Sequence, residues 1–225
     1  MPNVIPSNSH SSKPTAVGGS APSFVTISRQ IGIRFPSLPQ LVAHALNATP
    51  SANQPDWSAW DRGIIAKAVA ESNLPEQTIE YVEQSGYSWL DTFVSGLGGF
   101  PDDFAIVHRL RDTMRRLAAQ GHVVLVWHGA VFMTRDMPGG IHIRLVAPLR
   151  QRTENLARSL HVPFSEAAER LKLLQRNWTA YLRRFWPTQS LAPETFAATF
   201  NAAAVDQTHL VHCIVSVAVN PAAQL

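Results

Sequence analysis

The sequence predicts an α/β protein built on a parallel sheet, and two observations carry this prediction. Short, apolar, β-branched segments recur along the chain, and segments with apolar residues at helical spacing lie between them. The 225-residue chain is 45% hydrophobic, which suits one main domain with a well-buried core. We therefore expect the segments 24–28, 123–127 and 141–146 to be neighbouring strands of one sheet.

The amino-terminal segment differs from the rest in composition. Residues 1–23 are rich in Ser, Pro, Asn and Gly, so we expect a disordered tail there and a folded domain over residues 24–225. No apolar stretch follows Lys13, which argues against a secretory signal, and no run approaches the roughly 18 apolar residues of a membrane span. We therefore expect a cytoplasmic protein without a membrane partner.

The first strand leads into a turn and then a helix. The turn covers residues 29–36, and the helix, with Ser37 as its expected N-cap, ends near Asn47. Free backbone N–H groups and the helix dipole converge at such a point, which commonly binds an anion. The sequence therefore predicts a phosphate-binding loop at this edge of the sheet.

The rest of the chain continues the alternation of helices and strands. Because ligands of parallel sheets bind beyond the carboxyl ends of the strands, we expect Arg29, His128 and residues 147–148 to lie on one rim. Residues 208–219 fit either a strand or a helix by their pattern. The other expected elements are helices at 64–69, 74–84, 103–119, 151–160 and 165–185, a loop at 95–101 and a short strand at 196–201.

Basic residues are concentrated between Arg109 and Arg184, although the formal net charge is only +3. This distribution suits either a nucleic-acid surface or a pocket that holds the phosphates of a small nucleotide. No aromatic stacking platform or nucleic-acid motif accompanies the charge, so we expect the small ligand. His209 and His212 have a ligand-like spacing without a complementary set elsewhere, and no metal site is predicted.

Several motifs resemble the cytidylate-kinase-like branch of the P-loop nucleoside-monophosphate kinases, over about residues 24–218. Residues 28–32 (Ser-Arg-Gln-Ile-Gly) are similar to the start of the family's Ser-Arg-Gln-x-Gly-Ser-Gly-Gly loop, and residues 138–148 match the family almost residue for residue. Asp61 with the following Ile-Ile pair fits the family's Asp-x-x-Leu-Ile. The resemblance implies a three-layer P-loop NTPase fold with a helical lid at about residues 150–188, and a helix at 208–219.

The resemblance also implies a reaction, in which ATP bound with Mg²⁺ transfers its γ-phosphoryl group to CMP or dCMP. It assigns three sets of residues to this reaction. The residues expected around the donor phosphates are Ser28, Arg29, Gln30, Gly32 and Arg34. Those expected to contact the acceptor nucleotide are Asp61, His128 and Arg144, and those expected to act in catalysis from the lid are Arg176, Arg183 and Arg184.

Three departures from the family motifs meet in this expected site. The Ser-Gly-Gly of the loop is replaced by Ile-Arg-Phe at residues 33–35, the arginine of Gly-Arg-Gly by His128, and the lid's Asp-x-x-Arg by Gln175 and Trp178. We therefore expect weak or lost kinase activity. The alternative is a non-catalytic protein that keeps the fold for regulatory nucleotide binding or for contact with a protein partner that the sequence does not identify.

Some of these side chains also have purely structural interpretations. Asp61 fits a helix cap as well as an acceptor contact. Arg144 lies inside a strand, where a structural pairing is the stronger expectation. Arg150 and Arg152 fit the solvated face of a helix better than a phosphate contact.

Overall fold

The structure, a computed structural model, describes residues 23–35, 37–48, 55–61, 103–188 and 190–219. The predicted tail, apart from Ser23, lies outside these residues, as do the helices predicted at 64–69 and 74–84 and the loop predicted at 95–101.

A parallel sheet of five strands forms the centre of the described part of the chain, in the order β2-β3-β1-β4-β5. The strands are β1 (Phe24–Arg29), β2 (Ser58–Trp60), β3 (Val123–Val126), β4 (Gly140–Val146) and β5 (Ala198–Asn201). Phe24 pairs with Val123 on one side and with Gly140 on the other. The three predicted strands are therefore neighbours, and the predicted parallel α/β fold is confirmed.

Helices cover both faces of the sheet. They are α1 (Leu38–Asn47), α2 (Asp103–Gln120), α3 (Ala130–Thr134), α4 (Leu149–Leu160), α5 (Phe164–Phe185) and α6 (Gln207–Val219). Ile214 of α6 joins Ile27 and Ile143 in one buried cluster. Met114 of α2 joins Phe24 in a second cluster on the opposite face. Because successive strand residues point to opposite faces, β1 contributes to both clusters, and the result is a three-layer arrangement.

The sequence pattern did not predict the short strand β2 or the short helix α3, and it predicted a helix cap at Ser37 that the structure does not form. Residues 57–61 were expected to lead into a helix, but β2 lies there, and the Ser58 N–H donates a hydrogen bond to the His122 carbonyl oxygen (2.8 Å). Three partly exposed edge residues carry too little alternation to signal a strand. Helix α3 begins directly after His128 and Gly129, where only a turn was expected. Ser37 precedes α1, but its side chain makes no capping hydrogen bond.

The helix pair α4–α5 occupies the segment expected to be a lid. His161 joins the two helices in a left-handed conformation (φ 55°), and α4 packs against α5. Leu171 of α5 is fully buried, and Trp178 and Trp186 pack against the cluster that contains Met114. Movement of this pair as a lid stays a prediction. None of the helices in the described ranges combines the length and the apolar character needed to cross a membrane.

Candidate functional site

The chain leaves β1 through a β-turn at residues 30–33. The Ile33 N–H donates a hydrogen bond to the Gln30 carbonyl oxygen (3.2 Å), and Gly32 has φ +90°, which fits the third residue of a type II turn. The Gln30 N–H donates to the Leu145 carbonyl oxygen (3.1 Å), and the Gln30 Oε1 accepts from the Ala147 N–H (3.0 Å). The turn is therefore tied to the carboxyl end of β4.

Two of the three residues that replace the family's Ser-Gly-Gly anchor this turn to the protein. Ile33 is buried in the same cluster as Leu38 of α1, and Phe35 packs against that cluster, whereas Arg34 is exposed. Withdrawing a side chain such as Ile33 from a core costs about 1.5 to 3 kcal/mol. The loop is therefore held by the core as well as by hydrogen bonds.

Two side chains of α4 bind the carbonyl oxygens of the turn. Arg152 Nη1 donates to the Ile31 carbonyl oxygen (3.2 Å), and Asn155 Nδ2 donates to the Gly32 carbonyl oxygen (3.0 Å). Arg152 Nε also donates to the carbonyl oxygen of Ala147 (3.0 Å). When the side-chain amide of Gln175 is turned so that its oxygen faces Arg152, that oxygen accepts a hydrogen bond from Arg152 Nη1 (2.6 Å). The guanidinium of Arg152 thus joins the turn, α4 and α5.

The burial of Arg152 corrects one sequence-based interpretation. Arg152 is only 6% exposed, and burial lowers the pKa of its guanidinium from the ordinary value, although arginine keeps its charge at neutral pH. Arg150, one half-turn earlier, is exposed and pairs with Glu154 (2.9 Å). The predicted solvated face is therefore right for Arg150 and wrong for Arg152. Helical spacing predicts that Arg152 and Asn155 lie on one face of α4, but it does not predict which element packs against that face.

A cavity of about 350 Å³ lies beside the turn. It is rich in basic side chains, with no Asp or Glu among the described residues that line it, so it suits an anion. The lining residues are Ser28, Arg29, Gln30, Ile31, His128, Arg144, Arg152, Gln175, Trp178, Thr179 and Leu191. Of these, only Ser28, Arg29, Gln30, His128 and Arg144 were predicted as site residues.

Ser28 and Arg144 lie side by side at the floor of the cavity, because the register of β1 and β4 pairs them. Ser28 is 2% exposed, and its Oγ makes no hydrogen bond with the described residues. Arg144 donates a hydrogen bond to the Leu191 carbonyl oxygen and lies over the ring of Phe196, 5.5 Å from its centroid. Buried hydroxyl groups are usually hydrogen-bonded, so a ligand oxygen in this cavity would give the Ser28 hydroxyl a hydrogen-bond partner.

His128 and Trp178 form an aromatic wall of the cavity. The His128 Nδ1–H donates to the Arg29 carbonyl oxygen (2.6 Å), which can only accept, and the imidazole lies 5.8 Å from the Trp178 ring between centroids. Gly129 leaves room for this contact, since an added Cβ would lie 3.3 Å from Trp178 Cη2. Two of the three departures from the family motifs are therefore in contact with each other.

The other predicted site residues lie elsewhere. Arg34 lines a second cavity of about 220 Å³, together with Phe35 and Asn155. Asp61 follows β2 and accepts a hydrogen bond from Gln40 of α1 (3.4 Å). Gly32 lines neither cavity. Arg176, Arg183 and Arg184 of α5 are exposed and also line neither cavity, so their catalytic roles stay predictions.

We expect Gly32→Ala to destabilise the protein by about 2 kcal/mol or more, since an L-residue in a left-handed conformation costs about 1 to 2 kcal/mol before any clash. An added Cβ would lie 2.6 Å from the Arg152 carbonyl oxygen and 2.8 Å from its Cβ. Denaturant unfolding measures the loss, with Gly139→Ala as a control for positive φ alone. If both variants lose the same free energy of unfolding, the contact with α4 does not contribute to the cost of Gly32→Ala.

The turn does not fit a nucleoside triphosphate. A loop that binds polyphosphate presents backbone N–H groups to the anion, whereas here the carbonyl oxygens of Ile31 and Gly32 face the two side-chain donors of α4. The backbone of Arg152 also lies directly against Gly32. The described lining of the larger cavity offers no carboxylate to hold Mg²⁺. We therefore derive no step through ATP or Mg²⁺ for this chain.

The parallel sheet, the strand-turn-helix unit at β1 and the basic cavity at the carboxyl edge define a nucleotide-binding, kinase-like α/β protein. The chain belongs to the cytidylate kinase-like family, whose model matches residues 24–203. No curated protein shows significant similarity to the sequence.

The fold is similar to that of several solved structures. An uncharacterized protein from Eubacterium ventriosum ATCC 27560 is 16% identical with a TM-score of 0.57, over 88% of this chain and 99% of that one. A shikimate kinase from Bacteroides thetaiotaomicron has a TM-score of 0.47 at 15% identity, over 87% and 96% of the two chains. A gluconokinase from Sinorhizobium meliloti 1021 has a TM-score of 0.48 at 13% identity, over 89% and 94%. The first of these similarities supports the fold alone.

Proposed function

We propose that this protein binds a nucleoside monophosphate such as CMP in the basic cavity, and that transfer from ATP to CMP or dCMP is weak or lost. The observation that carries the proposal is the lining of that cavity, which contains three arginines and a histidine and no carboxylate among its described residues. Its volume of about 350 Å³ is near the lower end of the range for small-molecule sites, about 300 to 1,000 Å³. One small anionic ligand suits this space.

The chemistry of the cavity lining supports a nucleotide. Guanidinium groups and a hydroxyl, from Arg29, Arg144 and Ser28, suit the oxygens of a phosphate. The Trp178 ring offers a flat apolar surface for a base. A phosphorylated ligand with a planar ring suits both kinds of group at once.

Weak transfer follows from the charges that the reaction requires. Phosphoryl transfer depends on cations placed around the migrating group, and neither an imidazole nor an indole supplies the permanent planar cation of an arginine there. His128 and Trp178 stand at two such positions by resemblance to the family. The three exposed lid arginines would have to approach the cavity before they could replace these charges.

A non-catalytic role in regulation or protein contact is the second candidate. It is favoured by the way in which the departures stabilise the protein, with His128 in tilted contact with Trp178 and Ile33 buried in the core. Under this alternative the nucleotide is a regulator rather than a substrate. CMP binding without turnover supports this candidate.

Calorimetric titration with CMP tests the proposal. We expect Arg29→Gln to weaken CMP binding about 10- to 100-fold, because a hydrogen bond to a charged group contributes about 1.5 to 3 kcal/mol. Ser28→Ala should weaken it less, by about 3- to 10-fold. Arg150→Gln, which removes an exposed arginine outside the cavity, is the matched control and should leave the affinity unchanged. If no monophosphate binds at millimolar concentration, or if Arg29→Gln has no effect, the proposal is wrong.

A further inference from the structure

We propose that the contacts of Arg152 and Asn155 with the carbonyl oxygens of Ile31 and Gly32 form a latch that makes the site selective for a ligand with one phosphate and closes the loop to nucleoside triphosphates. The latch consists of these two side chains and the turn that they hold. This inference rests on the proposed function and deepens it, because it specifies which phosphorylated ligands the site accepts.

The polarity of the turn is the first reason. Both latch hydrogen bonds run from a side chain of α4 to a backbone carbonyl oxygen, at 3.2 and 3.0 Å. A polyphosphate that displaced these two donors would meet two carbonyl oxygens, which repel it. The N–H groups of Gln30 and Ile33 are already used, by the Leu145 and Gln30 carbonyl oxygens. These two N–H groups of the turn are therefore not offered to an anion.

The space around Gly32 is the second reason. The backbone of Arg152 lies so close that even a methyl group on Gly32 would be 2.6 Å from its carbonyl oxygen. A phosphate group is larger than a methyl group, so it cannot lie between Gly32 and α4 while the latch is closed. The burial of Ile33 beside Leu38 prevents the turn from swinging away on its other side.

The latch leaves the cavity on the strand side of the turn accessible. Ser28, Arg29, Arg144 and His128 line that cavity, and their contacts with a single phosphate do not require the turn to open. A triphosphate would have to break one charged and one neutral hydrogen bond of the latch. Breaking both corresponds to a factor of about 100 in affinity. We therefore expect CMP to bind at least about 100-fold more tightly than CTP or ATP.

The inference is tested by titrating the full-length chain with CMP, CTP and ATP, each with and without Mg²⁺. Asn155→Ala removes the hydrogen bond to Gly32 and leaves the lining of the larger cavity unchanged. We expect this variant to gain about 3- to 10-fold in affinity for the triphosphates, with its affinity for CMP within twofold of the original. Glu154→Ala, which removes the partly exposed neighbour of Asn155 on α4, is the matched control and should change neither affinity.

The possible results separate the latch from the proposed function. Equal affinity for CMP and CTP in the original protein would overturn the latch and leave the monophosphate site standing. The latch would also be overturned if Asn155→Ala raised the affinity for CMP and CTP equally, or if it raised neither affinity. Absence of CMP binding would instead contradict the proposed function, and triphosphate binding in that same protein would contradict the latch as well.

Discussion

Conversion of CMP to CDP by the purified protein is expected to be at least about 10⁴-fold slower than the rates of about 1 to 100 s⁻¹ that are usual for kinases. Removal of one well-placed charge donor from a transition state costs about 3 to 4 kcal/mol, or a factor of about 10² to 10³. His128 and Trp178 stand where the family motifs have arginines, and the two rings contact each other in a tilted arrangement. Two such losses account for the expected deficit before the closed loop is considered.

The variant His128→Arg combined with Trp178→Arg is expected to recover only part of the turnover. The two guanidinium groups restore charge, but Ile33 remains buried and the turn keeps its carbonyl oxygens toward α4. His161→Arg, which adds a charge at the exposed end of α4, is the control and should recover nothing. Coupled kinase assays over a panel of monophosphates measure these rates. A turnover of about 1 s⁻¹ or more in the original protein would show that other arginines serve the reaction.

Stability should fall by about 3 kcal/mol between pH 6.5 and pH 4 because of His142 alone. Burial, with the charge of Arg135 as a second cause, lowers the pKa of His142 from 6.5 to about 4. In the unfolded chain this imidazole takes up a proton near pH 6.5, whereas in the folded chain it stays neutral until about pH 4. Its contribution is therefore complete above pH 6.5 and lost as the pH falls to 4. A difference of about 2.5 units corresponds to about 3.4 kcal/mol.

The measurement is denaturant unfolding at intervals from pH 7 to pH 4, with His142→Asn as the variant. Its amide oxygen can take the place of the imidazole Nδ1, which lies 2.7 Å from the Thr26 hydroxyl oxygen. We expect the pH dependence of the variant to be shallower than that of the original by about 3 kcal/mol over this interval. His212→Asn, at an exposed position of α6, controls for loss of a histidine. Identical profiles for His142→Asn and the original protein would refute the assignment.

Much of the fold could be predicted from the sequence because its main elements carry strong periodic patterns. The segments 24–28 and 141–146 are apolar and β-branched, and they form β1 and β4 within one residue of the predicted boundaries. Strand β2 carried no such pattern, because its three residues are held by pairing with β3 rather than by a buried face of their own. Local pattern predicts an element only where the burial of that element is itself periodic.

Part of the site could be predicted for a topological reason. Ser28 and Arg29 are the last two residues of β1 and His128 follows β3, and the carboxyl ends of neighbouring parallel strands meet at one edge of a sheet. Their presence around one cavity thus follows from the strand order, although their roles stay predictions. Arg152, Gln175 and Trp178 reach the same cavity from helices, whose rotation about their own axes is decided by packing.

The sequence by itself determined the fold class, the family and the basic character of the site, because composition, periodicity and motif spacing act locally along the chain. Only the tertiary structure decided what the loop after β1 can bind. Ile31 and Arg152 are 121 residues apart, and the hydrogen bond between them depends on how α4 lies against the turn. That placement turns an expected phosphate loop into one whose carbonyl oxygens are held by the protein itself.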